Sequence, residues 1–261
     1  YRWTGPGTGQ YIGNLHFPNN SGSQPAALST DGTVIVGTDH FSPGGMGDST
    51  QGYRWTVSGG YQGLPLLEAY DCNADGNLVV GLTDTSHSGI WNAANGTVQS
   101  LPALSGATGT STYARGMNFD GSIAVGVSGS NTLPTLWRNG IPMSLGLAPG
   151  GQGSSLETGV TPDVGVVIGS IGGGIRATVW TQATGNLLAT DYLAMFGITI
   201  PSNWNLVDAK GVSDDGRTFL FQGFGQVNGI NKSTGILVTI PAPGSVLVAG
   251  VAILRTCRRR R

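Results

Sequence analysis

Apolar residues in this chain come in short runs separated by Gly, Asn, Asp, Ser and Thr, a pattern of many short strands with frequent turns. Four segments share one layout: Ser29 to Gly37, Asn73 to Gly81, Asn118 to Gly126 and Thr161 to Gly169 each place Asp at the third position, an apolar run after it and Gly at the end. A fifth, Ser213 to Phe221, keeps the Asp-Gly but loses the closing Gly. The Asp positions 31, 75, 120, 163 and 215 are spaced by 44, 45, 43 and 52 residues, so one period runs the length of the chain.

A second motif ends in Trp at Trp55, Trp91, Trp137 and Trp180, each followed by a turn signal such as Asn95-Gly96 or Asn139-Gly140 and then another apolar segment. The distance from Asp to Trp is 24 in the first copy and 16 or 17 in the others, which places an insertion in the Gly-rich stretch from Phe41 to Thr50. Each repeat therefore predicts two hairpins. Asp-Gly between strands suits a primed two-residue turn, because Gly accepts positive φ and Asp tolerates it. Continuous β-branched runs such as Val34-Ile35-Val36 predict strands covered on both faces. Four short strands per unit of about 44 residues fit a β-propeller blade, which buries its faces only against neighbouring blades. A β-sandwich would show turns without a fixed period. The four Trp residues are expected in equivalent blade positions.

Residues 1 to 15 match the Trp-bearing half alone, through Arg2-Trp3-Thr4 and Tyr11 to Leu15. The fold class expected is thus all-β, a β-propeller of five to six four-stranded blades over residues 1 to 240. The chain begins within a repeat, which suggests an N-terminally truncated propeller and an upstream signal peptide. The N-terminal half-blade is expected to pair with the incomplete last repeat as a clasp. The longer 52-residue spacing coincides with Asn186 to Phe196, where apolar residues recur at helical spacing and stop at Gly197, so one short inserted helix is placed there.

Composition sharpens this picture at the C-terminus. The formal net charge is −1, but Arg255, Arg258, Arg259, Arg260 and Arg261 supply five of the 13 basic residues, and without them the remainder is mildly acidic and offers no nucleic-acid footprint. With two cysteines, Cys72 and Cys257, no disulfide framework is indicated, and Cys72 reads as a small buried strand residue.

The repeat resembles the HAF-type extracellular repeat family, with its small-residue strand, Asp-Gly, apolar strand ending in Gly, and Trp-bearing strand. The resemblance covers nearly all of residues 1 to 240 and extends to Leu188 to Gly197, Trp204-Asn-Leu and Gly211 to Arg217. It implies an exported propeller and supplies no catalytic residues. Residues 241 to 261 resemble a separate element, a PEP-CTERM sorting signal: Pro241, Ala242, Pro243 and Gly244, then the apolar run from Ser245 to Leu254, then the arginines ending in Arg258, Arg259, Arg260 and Arg261. Ala242 stands where that signal usually has an acidic residue. The resemblance implies an exosortase-like protease as a transient partner. Ten apolar residues, expected as a helix, suit a transient membrane stop, with the arginines held on the cytoplasmic side.

Chemistry of other kinds is sparsely represented. Glycosidases need two facing carboxylates, yet the only Glu residues are Glu68 and Glu157, and most conspicuous Asp residues occupy the repeated turn. His16, His40 and His87 share no metal-ligand spacing. His40 beside Asp39 is the one suggestive pair. Gly172 to Gly174 lacks the Lys-Ser/Thr and helix of a phosphate loop. No catalytic, metal or cofactor residues are expected. Two functions remain in view: an exported surface or matrix protein that binds polysaccharide or another protein, and an extracellular polysaccharide hydrolase or lyase, which would need carboxylates clustered at the central channel.

Overall fold

The computed structural model describes residues 2–3, 5, 7–16, 22–42, 49–150, 155–172, 175–241 and 252–253. A two-stranded piece, β1 (Arg2–Trp3) and β2 (Gly9–Gln10), precedes five four-stranded antiparallel meanders. The first sheet holds β3 (Gly22–Leu28), β4 (Val34–Phe41), β5 (Ser49–Thr56) and β6 (Gly60–Gly63). The second holds β7 (Glu68–Cys72), β8 (Leu78–Leu82), β9 (Ser88–Asn92) and β10 (Val98–Ser100), and the third β11 (Thr112–Met117), β12 (Ile123–Ser128), β13 (Leu133–Arg138) and β14 (Ile141–Ser144). The fourth holds β15 (Ser155–Val160), β16 (Val167–Ile171), β17 (Arg176–Thr181) and β18 (Gly185–Leu188), followed by α1 (Ala189–Ala194). The fifth holds β19 (Trp204–Val212), β20 (Thr218–Val227), β21 (Ile230–Thr239) and β22 (Ala252–Ile253). Successive sheets touch through their first three strands, and the innermost strands β3, β7, β11, β15 and β19 follow one another edge to edge. This is the radial stacking that the period implies.

The second strand of every sheet is entered through one turn, repeated five times. In the first, Ser29 N donates to Val34 O and Gly32 N donates to Ser29 O. The Asp31 carboxylate accepts the Thr33 N–H, and the Ser29 hydroxyl accepts the Val34 N–H. The same bonds recur with Asn73 and Asp75, Asn118 and Asp120, Thr161 and Asp163, and Ser213 and Asp215. Four residues, not two, thus separate the paired positions, and positive φ falls on Gly32, Gly76, Gly121 and Gly216 alone, with none of these Asp residues in the left-handed region. The expected primed turn is replaced by a type I turn closed by glycine, because the aspartate is used as an acceptor for the residue two ahead. The fourth repeat puts Val164 at that position with φ 60°, a strained conformation for a β-branched residue.

Each inner strand also bulges at an equivalent place, at Ala26, Tyr70, Arg115, Thr158 and Lys210. The bulge brings the carbonyls of Gln24, Glu68 and Tyr113 so close to the second strand that a Cβ on Gly37, Gly81 or Gly126 would overlap them. The closing Gly of the repeat is therefore a packing requirement. Where Phe221 stands at that position, β19 carries a second register shift, between Leu206 and Asp208.

The tryptophans fill equivalent slots: Trp55 pairs with Ile35, Trp91 with Val79, Trp137 with Ala124 and Trp180 with Val167. Each packs toward the preceding unit, Trp91 on Val34, Val36 and Leu66, and Trp137 on Val80 and Leu101. In the fifth sheet the bulk crosses the ladder, with Phe219 opposite Val238, both fully buried.

Three expectations are corrected. Asn186, Leu187 and Leu188 pair with Trp180, Val179 and Thr178 as an outer strand, so the helix is confined to six residues, with Ala189, Tyr192 and Leu193 buried and Gly197 ending the turn at φ 72°. The N-terminal hairpin forms no clasp with the last sheet. It packs beside the first, where Tyr61 Oη donates to Gly13 O at 2.8 Å, while β22 pairs with Ile236 and Leu237. Part of the apolar tail, Ala252–Ile253, is therefore strand where a helix was expected. Pro241 is half-buried after the last ladder, and Ala242, Pro243, Gly244 and Arg258 to Arg261 lie outside the described residues.

Truncating Trp137, which is fully buried and donates Nε1–H to Pro102 O, is expected to cost about 3–5 kcal/mol in urea unfolding, while Trp180→Ala at a half-buried slot costs visibly less. Asp31 is held down to about pKa 2, first by the Ser29 hydroxyl and then by Thr33. Asp75, Asp120, Asp163 and Asp215 are likewise lowered, by donors from Asn77, Ser122, Gly165 and Ser213 first in each case. A carboxylate with a lowered folded pKa stabilises above its unfolded value and loses this as pH falls through the folded one. Asp31→Ala is therefore expected to lower the melting temperature at pH 7 and to lower it progressively less as pH falls towards 2, as read by circular dichroism.

Candidate ligand cleft

Between the second and third sheets lies a cleft of about 440 Å³, floored by Leu78 and Ile90 and walled by the β9–β10 turn, the Asp120 turn and the β13–β14 turn. Its polar groups are mostly amides. Asn92 uses its Oδ1 to accept the Ala94 N–H at 2.8 Å, and Asn95 uses its Oδ1 to accept Thr97 N and Oγ1. Turn formation thus consumes the acceptor and leaves the NH2 donors of both side chains without a protein acceptor among the described residues. Gln99 reaches across to donate to Asn139 O, and Asn139 holds φ 50°, a conformation Asn tolerates. The single carboxylate, Asp120, is occupied by the Ser122 N–H at 2.8 Å.

The same place is filled at the neighbouring interfaces. Between the first and second sheets, Arg54 stands where the second sheet has Ile90, and its guanidinium donates to Gly76 O at 2.7 Å and to Asn77 Oδ1 at 3.1 Å. Between the third and fourth, Val164 replaces the turn glycine and packs against the cluster of Ile123 and Leu136. Here Ile90 and the turn glycine Gly121 leave that space open.

The inner strands hold the other chemistry. Arg115 lies over the Tyr70 ring at 4.2 Å, and Tyr70 Oη donates to Glu68 Oε2 at 2.6 Å. Burial, together with that bond to Glu68, pushes the Tyr70 phenol well up. Asp208 pairs with Lys210. Asp71 accepts the N–H groups of Met117 and Cys72, both at 2.8 Å, and burial pushes it up to about 6 despite those donors. Cys72 is buried and free, and burial pushes its thiol up to about 12. Among these side chains each carboxylate has a partner on at least one oxygen, Tyr70 for Glu68, backbone N–H groups for Asp71 and Lys210 for Asp208.

The sequence pairing of Asp39 with His40 is corrected. Neighbours on a strand point to opposite faces, and the fully buried Asp39 instead accepts from Ser23 Oγ at 2.7 Å and sits 2.8 Å from His16 Nδ1. Ser23 bonds the carboxylate and not the imidazole, so the three do not form a relay that would activate a hydroxyl. No group of three His, Cys, Asp or Glu able to hold a metal occurs among the described residues, and none of their helices is long and apolar enough to cross a membrane.

Sequence reasoning missed both the cleft amides and the bulge residues. Asn95 and Asn139 were visible only as turn formers. The bulge residues each stand five positions before a repeat Asp, a constant offset that could have found them.

No protein-family model matches the chain, and no characterised protein matches it in sequence. Among solved structures it is similar to a TolB-type protein from Agrobacterium tumefaciens, at 12% identity and TM-score 0.53 over 90% of this chain and 80% of the other. It is also similar to the β-propeller domain of Swd1 from Myceliophteria thermophila, at 8% identity and TM-score 0.50 over 93% of this chain and 73% of the other. At such identities the likeness carries the β-propeller fold alone.

Asp71 provides a test of the inner-strand electrostatics. Its folded pKa lies above its ordinary value, so its stabilising balance is intact below about pH 4 and is lost as pH rises through about 6. Relative to the parent, Asp71→Asn is expected to gain stability progressively across that window, by about 3 kcal/mol at pH 7, as measured by urea unfolding at several pH values.

Proposed function

We propose that this chain is an exported cell-surface or matrix protein of the HAF-type repeat class, with a binding role and no catalysis. Its ligand is a neutral polysaccharide, seated in the cleft between the second and third sheets. The observation that carries this is the set of amide donors left unengaged by the turns at Asn92 and Asn95, arranged around an apolar floor with one committed carboxylate. Sugar hydroxyls accept from such donors, whereas glycoside cleavage requires a second carboxylate across the site. The order of Pro241 to Gly244, the apolar run and the terminal arginines supports export with a transient inner-membrane stop and processing by an exosortase-like protease.

A glycan-array screen of the full chain tests the binding role. Binding of neutral glycans is expected, reduced about thirtyfold by the Asn92→Ala, Asn95→Ala double substitution, since two hydrogen bonds of about 1 kcal/mol each are lost, and retained in Asp120→Asn. Release of new reducing ends from a bound glycan, abolished in Asp120→Asn, would instead assign a hydrolase.

A further inference from the structure

Asn stands directly before Gly at three places, Asn95-Gly96, Asn139-Gly140 and Asn228-Gly229, in the β9–β10, β13–β14 and β20–β21 turns. This pair of residues is the one most open to attack upon itself. The nitrogen of the following residue is one five-membered ring closure away from the side-chain carbonyl carbon, and Gly brings no Cβ to obstruct it. All three Asn residues are exposed, so what separates them is how far the two reacting groups are already engaged.

At Asn95 both are held. Its Oδ1 accepts the Thr97 N–H at 3.0 Å and the Thr97 hydroxyl at 2.8 Å, and the Gly96 N–H donates to Asn92 O at 2.8 Å. At Asn139 neither is held: its side-chain amide and the Gly140 N–H have no hydrogen-bond partner among the described residues, although Asn139 N is anchored to Ser122 O at 2.7 Å. Asn228 and Gly229 are equally unengaged among those residues, in a turn of the same conformation, with φ 52° and 74° against 50° and 80° at Asn139 and Gly140. One contact distinguishes these two turns. Gln99 Nε2 donates to Asn139 O at 3.4 Å, the carbonyl of the very peptide whose nitrogen must give up its proton, and a donor there stabilises the negative charge that spreads onto the oxygen.

We infer that Asn139 is a site of self-modification, promoted by Gln99, at which the chain converts an amide of the cleft into a carboxylate. The Gly140 nitrogen attacks Cγ of Asn139, the new N–C bond forms, and the Cγ–Nδ2 bond breaks. Nδ2 leaves as ammonia, carrying the proton that Gly140 gave up, and a succinimide remains. Water then opens the ring at either carbonyl, which leaves aspartate, or isoaspartate with the main chain rerouted through the side-chain carbons. Because Asn139 N is bonded to Ser122 O and Ser122 N to the Asp120 carboxylate, the new charge arises beside the Asp120 turn on the wall of the same cleft. A cleft with one carboxylate thereby acquires a second, and the isoaspartate form also adds a backbone carbon to a two-residue turn. The conversion does not depend on what the cleft binds.

The test is a time course on the full chain in mildly alkaline, isotopically labelled water, followed by digestion and peptide mapping by mass spectrometry. Asn139 is expected to convert first, taking up one labelled oxygen per event, at least tenfold faster than Asn95 and severalfold faster than Asn228. Gln99→Ala, on an exposed outer strand and checked for fold by circular dichroism, should slow Asn139 to the rate of Asn228. In urea, where the folded hydrogen bonds are gone, the three sites should convert at similar rates. Asn95 or Asn228 keeping pace with Asn139 in the folded chain would overturn the inference. So would an Asn139 that stays intact while the urea-unfolded chain converts, or whose rate is indifferent to Gln99→Ala.

Discussion

A meander of four strands, most of them three to eight residues long, presents two apolar faces and can bury neither by itself, so each sheet must be completed by the next. That demand explains why the second strands read as unbroken apolar runs and not as an alternation. Val34, Val36 and Val79 lie in one cluster with Trp91, and Val80, Ala124 and Trp137 in the next, so the core is a series of interfaces with no single centre. It also explains how the fifth repeat tolerates loss of its Trp. The slot between facing strands needs a fixed volume, and Phe219 opposite Val238 supplies bulk from the other side of the ladder.

Close stacking in turn forces the local chemistry. The bulged inner strand leans over the second strand, which leaves room for hydrogen alone at Gly37, Gly81 and Gly126. The turn between them is tied by the Asp carboxylate and by the Ser, Thr or Asn two residues earlier. Its backbone also links neighbouring sheets, as Thr30 N donates to Ala74 O and Ala74 N to Phe119 O, each at 2.8 Å. The exposed turn aspartates and the half-buried Asp71 therefore respond to pH with opposite sign, the first group favouring the folded state as ionised carboxylates and the second as a neutral acid.

The period, the Trp slots, the turn aspartates and the burial of Cys72 were legible in the sequence because each recurs with one residue type or sits in a β-branched run. The bulge positions were not. Ala26, Tyr70, Arg115, Thr158 and Lys210 share a geometry and no chemistry, so residue-type matching passes over them. The start of α1 was misplaced because Asn186 to Leu188 satisfy a helical spacing while also fitting the edge of β17, and ladder pairing with Trp180 and Val179 decides between the two. The end contacts were equally hidden, since whether β1 and β2 meet the last sheet depends on packing around the whole stack and not on their own residues.

Periodic scaffolds place equivalent side chains at every interface, and specialisation then requires only that one interface depart from the rest. At the turn face the departure is subtractive. Arg54 fills the first interface with a guanidinium bonded to Gly76 and Asn77, and Val164 narrows the third, but Ile90 and Gly121 together leave the second open. The donors around that opening come from the same asparagines that make the turns. An Asn that spends its carbonyl on the backbone two residues ahead keeps its NH2 pointing away from the chain, so turn chemistry and ligand chemistry are carried by one side chain. A cleft of this kind can arise in a repeat protein without any new catalytic residue, from the turn residues the repeat already carries.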